Sequence, residues 1–417
     1  MLNQLFKYPT VLKRHRCAPF LKERERYLVH KANHGYAHET LLHAARELFW
    51  IARSFGSKGC TLSKVTREDI RKAAAQWAQN QYLSGRAERP KQSCSLFVQV
   101  ATDWFRFLDL LHEPIPKQPW YDSYIQDFAT FMETERGLSP QTIRSRYWQV
   151  ERFLGWVQPH PKTISSIRVT DVDRFLKTRG TRHWSRVSVD SSAKALRAFF
   201  RHAAMRGWCA SEVAESIHGP RLFAQETIPL GPSWEDVERL LASMDTEQPV
   251  DIRDRAIVLF FALYGMRSSE VANLRLQQIN WNHNQITFVR KKRRLSEAYP
   301  LIPVVGNTLV KYLQTVRPRC PWSEVFLTLK APIKPMSAGS LYHSVSKRMA
   351  NLGILGGSRG PHALRHACAT HLLAEGLSLK EIADHLGHAR TSSTRIYAKV
   401  DMPHLREVAV FNFGGAL

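Results

Sequence analysis

The stretch HGPRLFAQETIPLGPSWED, residues 218 to 236, divides this chain more firmly than any other feature. Gly219-Pro220 and Gly231-Pro232 bracket a run with no helical period. Proline lacks a backbone donor and clashes with the preceding turn, so helices on the two sides cannot merge through it. The run reads as an extended linker over 219–232. A helix follows, capped by Ser233, with Asp236 at its third position and Val237, Leu240 and Leu241 at helical spacing. A second break lies in EPIPKQPW, residues 113 to 120, where three prolines stop a helix. At 417 residues the chain exceeds what one hydrophobic core organises. The breaks predict three folded parts, 1–117, 118–218 and 233–417.

Residues 118–218 read as all-helical. In LSPQTIRSRYWQVERFLGWV, Ser139 is a cap and Pro140 takes the first helical position, while Ile143, Tyr147, Val150, Leu154 and Val157 keep a three/four spacing. VTDVDRFLKTRG starts another helix after Thr170, and DSSAKALRAFFRHAAMRGW a further one. Arg144, Arg146, Arg186, Lys194, Arg197 and Arg201 remain on polar faces, either as DNA contacts or as ordinary solvated helix surface. The first part weakly echoes the middle one. KVTREDIRKAAAQW parallels RVTDVDRFLKTRG, and an aromatic-rich helix flanks each on both sides. It reads as an extra helical domain, a DNA-binding arm or a degenerate duplicate of the middle part. Residues 233–417 are mixed. QITFVRKKRRLSEAYPLIPV reads as strand, basic turn and strand, with Ile286 and Phe288 alternating with Thr287 and Val289, and Tyr299, Leu301 and Pro303 on the return. The predicted fold class is mainly α with a small β-hairpin in the last part (α+β).

The charge points to a partner. Lys plus Arg number 60 against 36 Asp plus Glu, a net +24. Residues 1–117 hold 20 basic and 10 acidic side chains, so the surplus is spread along the chain rather than gathered in a tail. A polyanion, nucleic acid first, is the expected partner; charge kept for solubility is the alternative. The six cysteines have no paired spacing and read as free thiols. His30, His34, His38 and His43 have no cysteine or carboxylate at ligand spacing, so no metal site is expected there. No apolar run reaches 18 residues and the N-terminus has no continuous apolar core, so a membrane span or secretion is not expected and a cytoplasmic protein is.

Three stretches carry chemistry. In LFFALYGMRSSEVANLRLQQINW, Arg267 emerges after Gly265 between two apolar helices, a costly position unless a carboxylate or phosphate pairs with it. Glu270 is three residues on, and an internal ion pair is the plain reading of this motif alone. In GPHALRHACATHLLAEGLSLKEIADHLGH, His362 and Arg365 share a helical face near a start at Pro361, where the helix dipole suits an anion. Taken alone, such a pair is common on solvated helices. In HLGHARTSSTRIYAKV, His388 precedes Tyr397 by nine residues, across small hydroxyl side chains.

In this order, ALYGMRSSEVANL, HALRHACATHLLAEG and LGHARTSSTRIY resemble the tyrosine recombinase family, which includes phage integrases and Xer recombinases. The resemblance runs over about residues 121–405. It implies a helical DNA-clamping domain at 118–218 and a catalytic domain at 233–417. Tyr397 is then the nucleophile that forms a 3′-phosphotyrosyl bond with DNA. Arg267, Arg365 and His388 bind the phosphate, His362 assists proton transfer from the tyrosine or positions it, and a hairpin lysine protonates the leaving 5′ oxygen. Counting back from Pro300 favours Lys292 over Lys291, with Lys291, Arg293 and Arg294 as DNA contacts. No glycine follows the lysine, where the family often has one. The resemblance also implies no metal and no nucleotide cofactor, double-stranded DNA as substrate, a homo-tetramer or a hetero-oligomer with a partner recombinase, and association with the nucleoid. Two other expectations share parts of this pattern: a type IB topoisomerase-like enzyme, and an inactive sequence-specific DNA-binding protein.

Overall fold

The computed structural model describes residues 1–56, 64–83, 90–113, 118–157, 163–182, 184–222, 231–290, 295–354, 359–387, 394, 396 and 397. The chain divides into two compact units, Met1–Glu113 with Ile228–Leu417, and Pro114–Thr227. Separate apolar clusters form within residues 1–111, 120–217 and 234–367.

Residues 1–113 are helical: α1 (Leu2–Leu5), α2 (Pro9–Arg16), α3 (Leu21–Asn33), α4 (His38–Gly56), α5 (Arg67–Leu83) and α6 (Pro90–Phe107), with a two-residue parallel pair of β1 (Val65–Thr66) and β2 (Leu111–His112). The middle part holds α7 (Asp122–Thr134), α8 (Pro140–Val157), a short 3-10 turn, α9 (Val169–Arg182), α10 (Arg186–Met205) and α11 (Ser211–Glu215). Asp127 of α7 ties this bundle to α10 through His202 Nε2 at 2.7 Å and Arg206 Nε at 2.9 Å. Ser139 accepts from the Thr142 amide, as a cap should. The likeness between Val65-Thr66 and Val169-Thr170 does not extend to the backbone: the first dipeptide is a strand, while the second opens α9.

The last part contains α12 (Trp234–Ala242), α13 (Pro249–Ala262), α14 (Ser268–Ala272), the antiparallel order β3 (Ile279–Asn280), β4 (Gln285–Arg290) and β5 (Leu295–Pro300), then α15 (Pro303–Lys311), α16 (Ala338–Asn351), α17 (Pro361–Ala374) and α18 (Leu379–Leu386). Ser233 caps α12 by accepting from the Asp236 amide. Ile286 and Phe288 are buried and Val289 is exposed, which is the alternation of a half-buried strand. Pro303 lies beyond the hairpin, because its missing N–H and fixed φ suit the first turn of α15. Helix α13 is buried nearly all round and packs against α15 and α17. Among the described residues no helix is long and apolar enough to cross a membrane.

After α13 the chain reverses at Gly265 with φ +57°, and an added Cβ there would collide with Leu386 Cδ2. The left-handed conformation alone costs a non-glycine residue roughly 1–2 kcal/mol. Gly265→Ala is therefore expected to lower the melting temperature by about 2–4 °C or more; an unchanged melting curve would sink this account of the turn.

Candidate active site

The site is organised by the C-terminal end of α18. A helix leaves its last carbonyls without intrahelical partners, and that end carries partial negative charge. Here three successive carbonyls are taken by side chains from three other segments. His385 O accepts from the Tyr299 hydroxyl at 2.8 Å, Leu386 O from Arg365 Nη2 at 2.8 Å, and Gly387 O from Arg267 Nη2 at 3.2 Å. Gly387, at φ +60°, ends the helix. The two guanidiniums thus hang from adjacent carbonyls.

Arg365 is 3% exposed, and its Nη1 also donates to Gly265 O, inside the turn after α13. Arg267 caps α14, and Glu270 accepts from both its amide and its Nη1 at 2.8 Å. The internal ion pair read from the motif is real. It orients Arg267 rather than consuming it: Glu270 is buried while the arginine side chain is 35% exposed. Only two of the five guanidinium N–H groups are engaged among the described residues. His385 fastens the same turn through Nε2, 3.1 Å from Leu263 O.

His362 stands exposed at the start of α17, and its pKa is lowered by desolvation, then by Arg365 and Arg267. One turn on, His366 lies 4.5 Å from it between ring centroids. Tyr397 is 2% exposed, and its hydroxyl is 2.9 Å from His366 Nδ1. It packs with Cys368, Ala369, Leu373, Ile382 and Leu386 in a small cluster of its own. The imidazole bonded to the tyrosine is thus His366, a residue the sequence reading passed over. Its signal was present in HALRH, where His366 follows His362 at i+4.

A cationic pocket is expected to favour the phenolate, but Tyr397 shows the opposite. Burial pushes its pKa up to about 12, and the opposing influence of Arg365 is smaller. Burial, then His362 and Arg365, push His366 down to about 4. The phenol is protonated and the imidazole neutral near pH 7. The structure brings together Arg267, His362, Arg365 and Tyr397. His388, Lys291, Lys292, Arg293 and Arg294 lie outside the described residues, as does most of the hydroxyl run before Tyr397.

The six basic candidates of the middle part separate into two groups. Arg186 donates to Arg221 O, Arg197 to Ile217 O at 2.9 Å, and Lys194 pairs with Asp190 at 2.7 Å. Each of these three has a partner within the bundle. Arg144, Arg146 and Arg201 have no such partner among the described residues, and Arg144 and Arg201 are exposed. Sequence reasoning missed Arg152, which lies 4.9 Å over Trp148 and 5.3 Å over Trp184, with Trp148 48% exposed. Among the described residues no group of three or more His, Cys, Asp or Glu side chains is placed to hold a metal. His34 Nδ1 of the histidine-rich stretch is instead 2.8 Å from His30 O.

Comparison with known proteins decides the family. Residues 233–404 match the Phage integrase family and residues 125–207 the Phage integrase N-terminal SAM-like domain. The Sinorhizobium fredii protein y4rA is 32% identical over 380 residues, covering 88% of this chain and 89% of that one. This chain belongs to the phage integrase family of tyrosine recombinases. The tyrosine recombinase XerD of Lacticaseibacillus casei is 30% identical over 294 residues, covering 69% of this chain and 97% of its own length. The solved structure of the XerH site-specific recombinase bound to its palindromic difH substrate, a post-cleavage complex, shares the fold with a TM-score of 0.55 at 18% identity, covering 83% of this chain and 96% of that one.

A histidine whose folded pKa is lowered from 6.5 to about 4 contributes stability that is complete above pH 6.5 and is lost as pH falls toward 4, because the unfolded chain binds the proton first. Melting temperature is expected to drop across that window, and less steeply in His366→Gln, which keeps an acceptor but does not titrate. Equal slopes in wild type and variant would remove His366 from this account.

Proposed function

We propose that this tyrosine recombinase cleaves and rejoins double-stranded DNA at specific sites, through a 3′-phosphotyrosyl intermediate and a Holliday junction. The observation that carries the reading is the pair of guanidiniums fixed on adjacent carbonyls beside the buried tyrosine. Planar donors held in advance need no reorganisation as charge moves onto a phosphate.

Tyr397 Oη attacks phosphorus, the bond to the 5′ oxygen breaks, and that oxygen leaves as a hydroxyl after taking a proton from Lys292. Arg267 and Arg365 hold the non-bridging oxygens, and His388 donates to the same phosphate. His366, neutral and 2.9 Å from the phenol, takes over from His362 the part of receiving its proton, leaving His362 to face the phosphate with the arginines. Attack by a 5′ hydroxyl on the phosphotyrosine restores the diester and frees Tyr397. Bond energy is conserved, and neither metal nor nucleoside triphosphate enters the balance.

The assignment extends to the rest of the chain. Residues 118–218 clamp DNA, with Arg144, Arg146, Arg201 and the Trp148–Arg152–Trp184 group as contacts and Arg186, Lys194 and Arg197 as scaffold. Lys291, Arg293 and Arg294 of the hairpin reach the backbone near the cut, and residues 1–117 add a further DNA-binding domain. The assembly is a homo-tetramer, or a hetero-oligomer with a partner recombinase, working in the cytoplasm on the nucleoid.

On a nicked duplex that traps the covalent product, the wild-type chain is expected to form a protein–DNA adduct and Tyr397→Phe none. Arg365→Lys keeps the charge but loses the fork and is expected to slow adduct formation by roughly 10²–10³. An adduct formed by Tyr397→Phe would show that another residue is the nucleophile. Duplex affinity should fall with log slope about 0.9 per phosphate contacted as salt rises; a flat response would defeat the DNA reading.

A further inference from the structure

In the N-terminal part, α1, α2 and α4 line a half-open cavity of about 520 Å³, within the size range of small-ligand sites. Its walls are aromatic. His15 stacks on Phe6 with ring centroids 4.1 Å apart and lies 4.9 Å from Phe49, whose ring is 5.1 Å from that of Trp50. Lys7, Arg14 and Arg46 also line the cavity, and no acidic residue does among the described residues. Arg14 is poised over the rings, 4.6 Å from the Phe49 centroid and 5.3 Å from that of Trp50.

One polar group in this lining is unsatisfied. His15 is 5% exposed, and its Nδ1 has no hydrogen-bond partner among the described residues. Burial, then Arg24, Arg14 and Arg46, lower the His15 pKa to about 4, so the ring is neutral near pH 7. The cations at the cavity therefore face aromatic surface and an uncharged imidazole rather than a carboxylate. Their surroundings call for an anion that also carries a flat ring.

We propose that this cavity binds one nucleotide unit, its base against the Tyr8 and Trp50 rings, which line it without being buried, and its phosphate on Arg14 and Arg46. A base offers a π-face to aromatic side chains whatever its sequence, and a phosphate matches the guanidiniums. The inference rests on the reading that residues 1–117 engage DNA, and sharpens it. A duplex keeps its bases stacked inside, so the unit is an unpaired nucleotide of a strand, such as one that has left its complement during exchange. A free mononucleotide has the same chemistry.

The test uses the full chain carrying Tyr397→Phe and measures affinity for three duplexes: blunt, with a short single-stranded flap, and with an abasic flap of equal phosphate count. Deoxyadenosine monophosphate and inorganic phosphate are titrated separately. The base-bearing flap is expected to bind about tenfold tighter than the abasic one. That preference is expected to vanish when exposed Arg14 and Arg46 are both changed to Ala, and to survive Lys13→Ala with Arg16→Ala on the same helix. Binding of the mononucleotide but not of phosphate, lost in the same Arg14 and Arg46 variant, assigns the cavity to free nucleotide as well. Equal affinity for base-bearing and abasic flaps with no mononucleotide binding overturns the proposal, as does a preference untouched by the Arg14 and Arg46 changes. Blunt-duplex binding reports the DNA reading by itself, so the two can fail separately.

Discussion

Two arginines and a tyrosine hang from the end of one helix. The carbonyls of His385, Leu386 and Gly387 would be orphans at the C-terminus of α18, and burying them unpaired would cost free energy. Tyr299, Arg365 and Arg267 satisfy them. The same bonds satisfy Arg365, which at 3% exposure also needs partners. The exchange is mutual: the helix end supplies partial negative charge, and the guanidiniums supply donors in a rigid fork. Because the carbonyls are consecutive, the spacing of the two arginines is set by backbone geometry rather than by flexible side chains. Tyr299 extends the constraint to the hairpin strand β5. Gly265 completes it, since Arg365 can reach its carbonyl only if the chain reverses tightly beneath Leu386.

The parts of this arrangement that depend on neighbours in sequence were legible there. Ser139 and Ser233 cap where their hydroxyls and following residues imply, the strand alternation places Ile286 and Phe288 inside, and Pro361 opens the helix that carries His362 and Arg365. The motif order was enough to suggest the family, and the relatives establish it. What was not legible depends on tertiary placement. Nothing in HALRH says that Arg365 is buried on carbonyls while His366 meets Tyr397, 31 residues away. Nor could the polar faces of the middle part show that Arg186 and Arg197 are spent on backbone oxygens of Arg221 and Ile217. Composition reports how much charge a chain has, but not which charges are already engaged.

The tyrosine brings two requirements into conflict. Packing it among Cys368, Leu373 and Leu386 fixes its position, yet the same burial raises its pKa to about 12. Arg365, which favours the phenolate, is outweighed by desolvation. A neutral imidazole at hydrogen-bonding distance reconciles the two, because a proton can leave the phenol without an ion first forming in the apolar cluster. The cluster is small and distinct from the main core of the catalytic part, and Cys368 ties it to the end of α13 through Leu263 O.

The bonds at the end of α18 also impose an order in time. They join residues 86, 21 and 120 positions apart, and the farthest partner of each is near the end of the chain. Such contacts close late, after the loop entropy between them has been lost. On a ribosome, Arg267 emerges long before Gly387, so the nascent protein carries that guanidinium without the carbonyl that aims it. The geometry of the site cannot assemble until α18 has been made, so its parts exist in the growing chain well before their arrangement does.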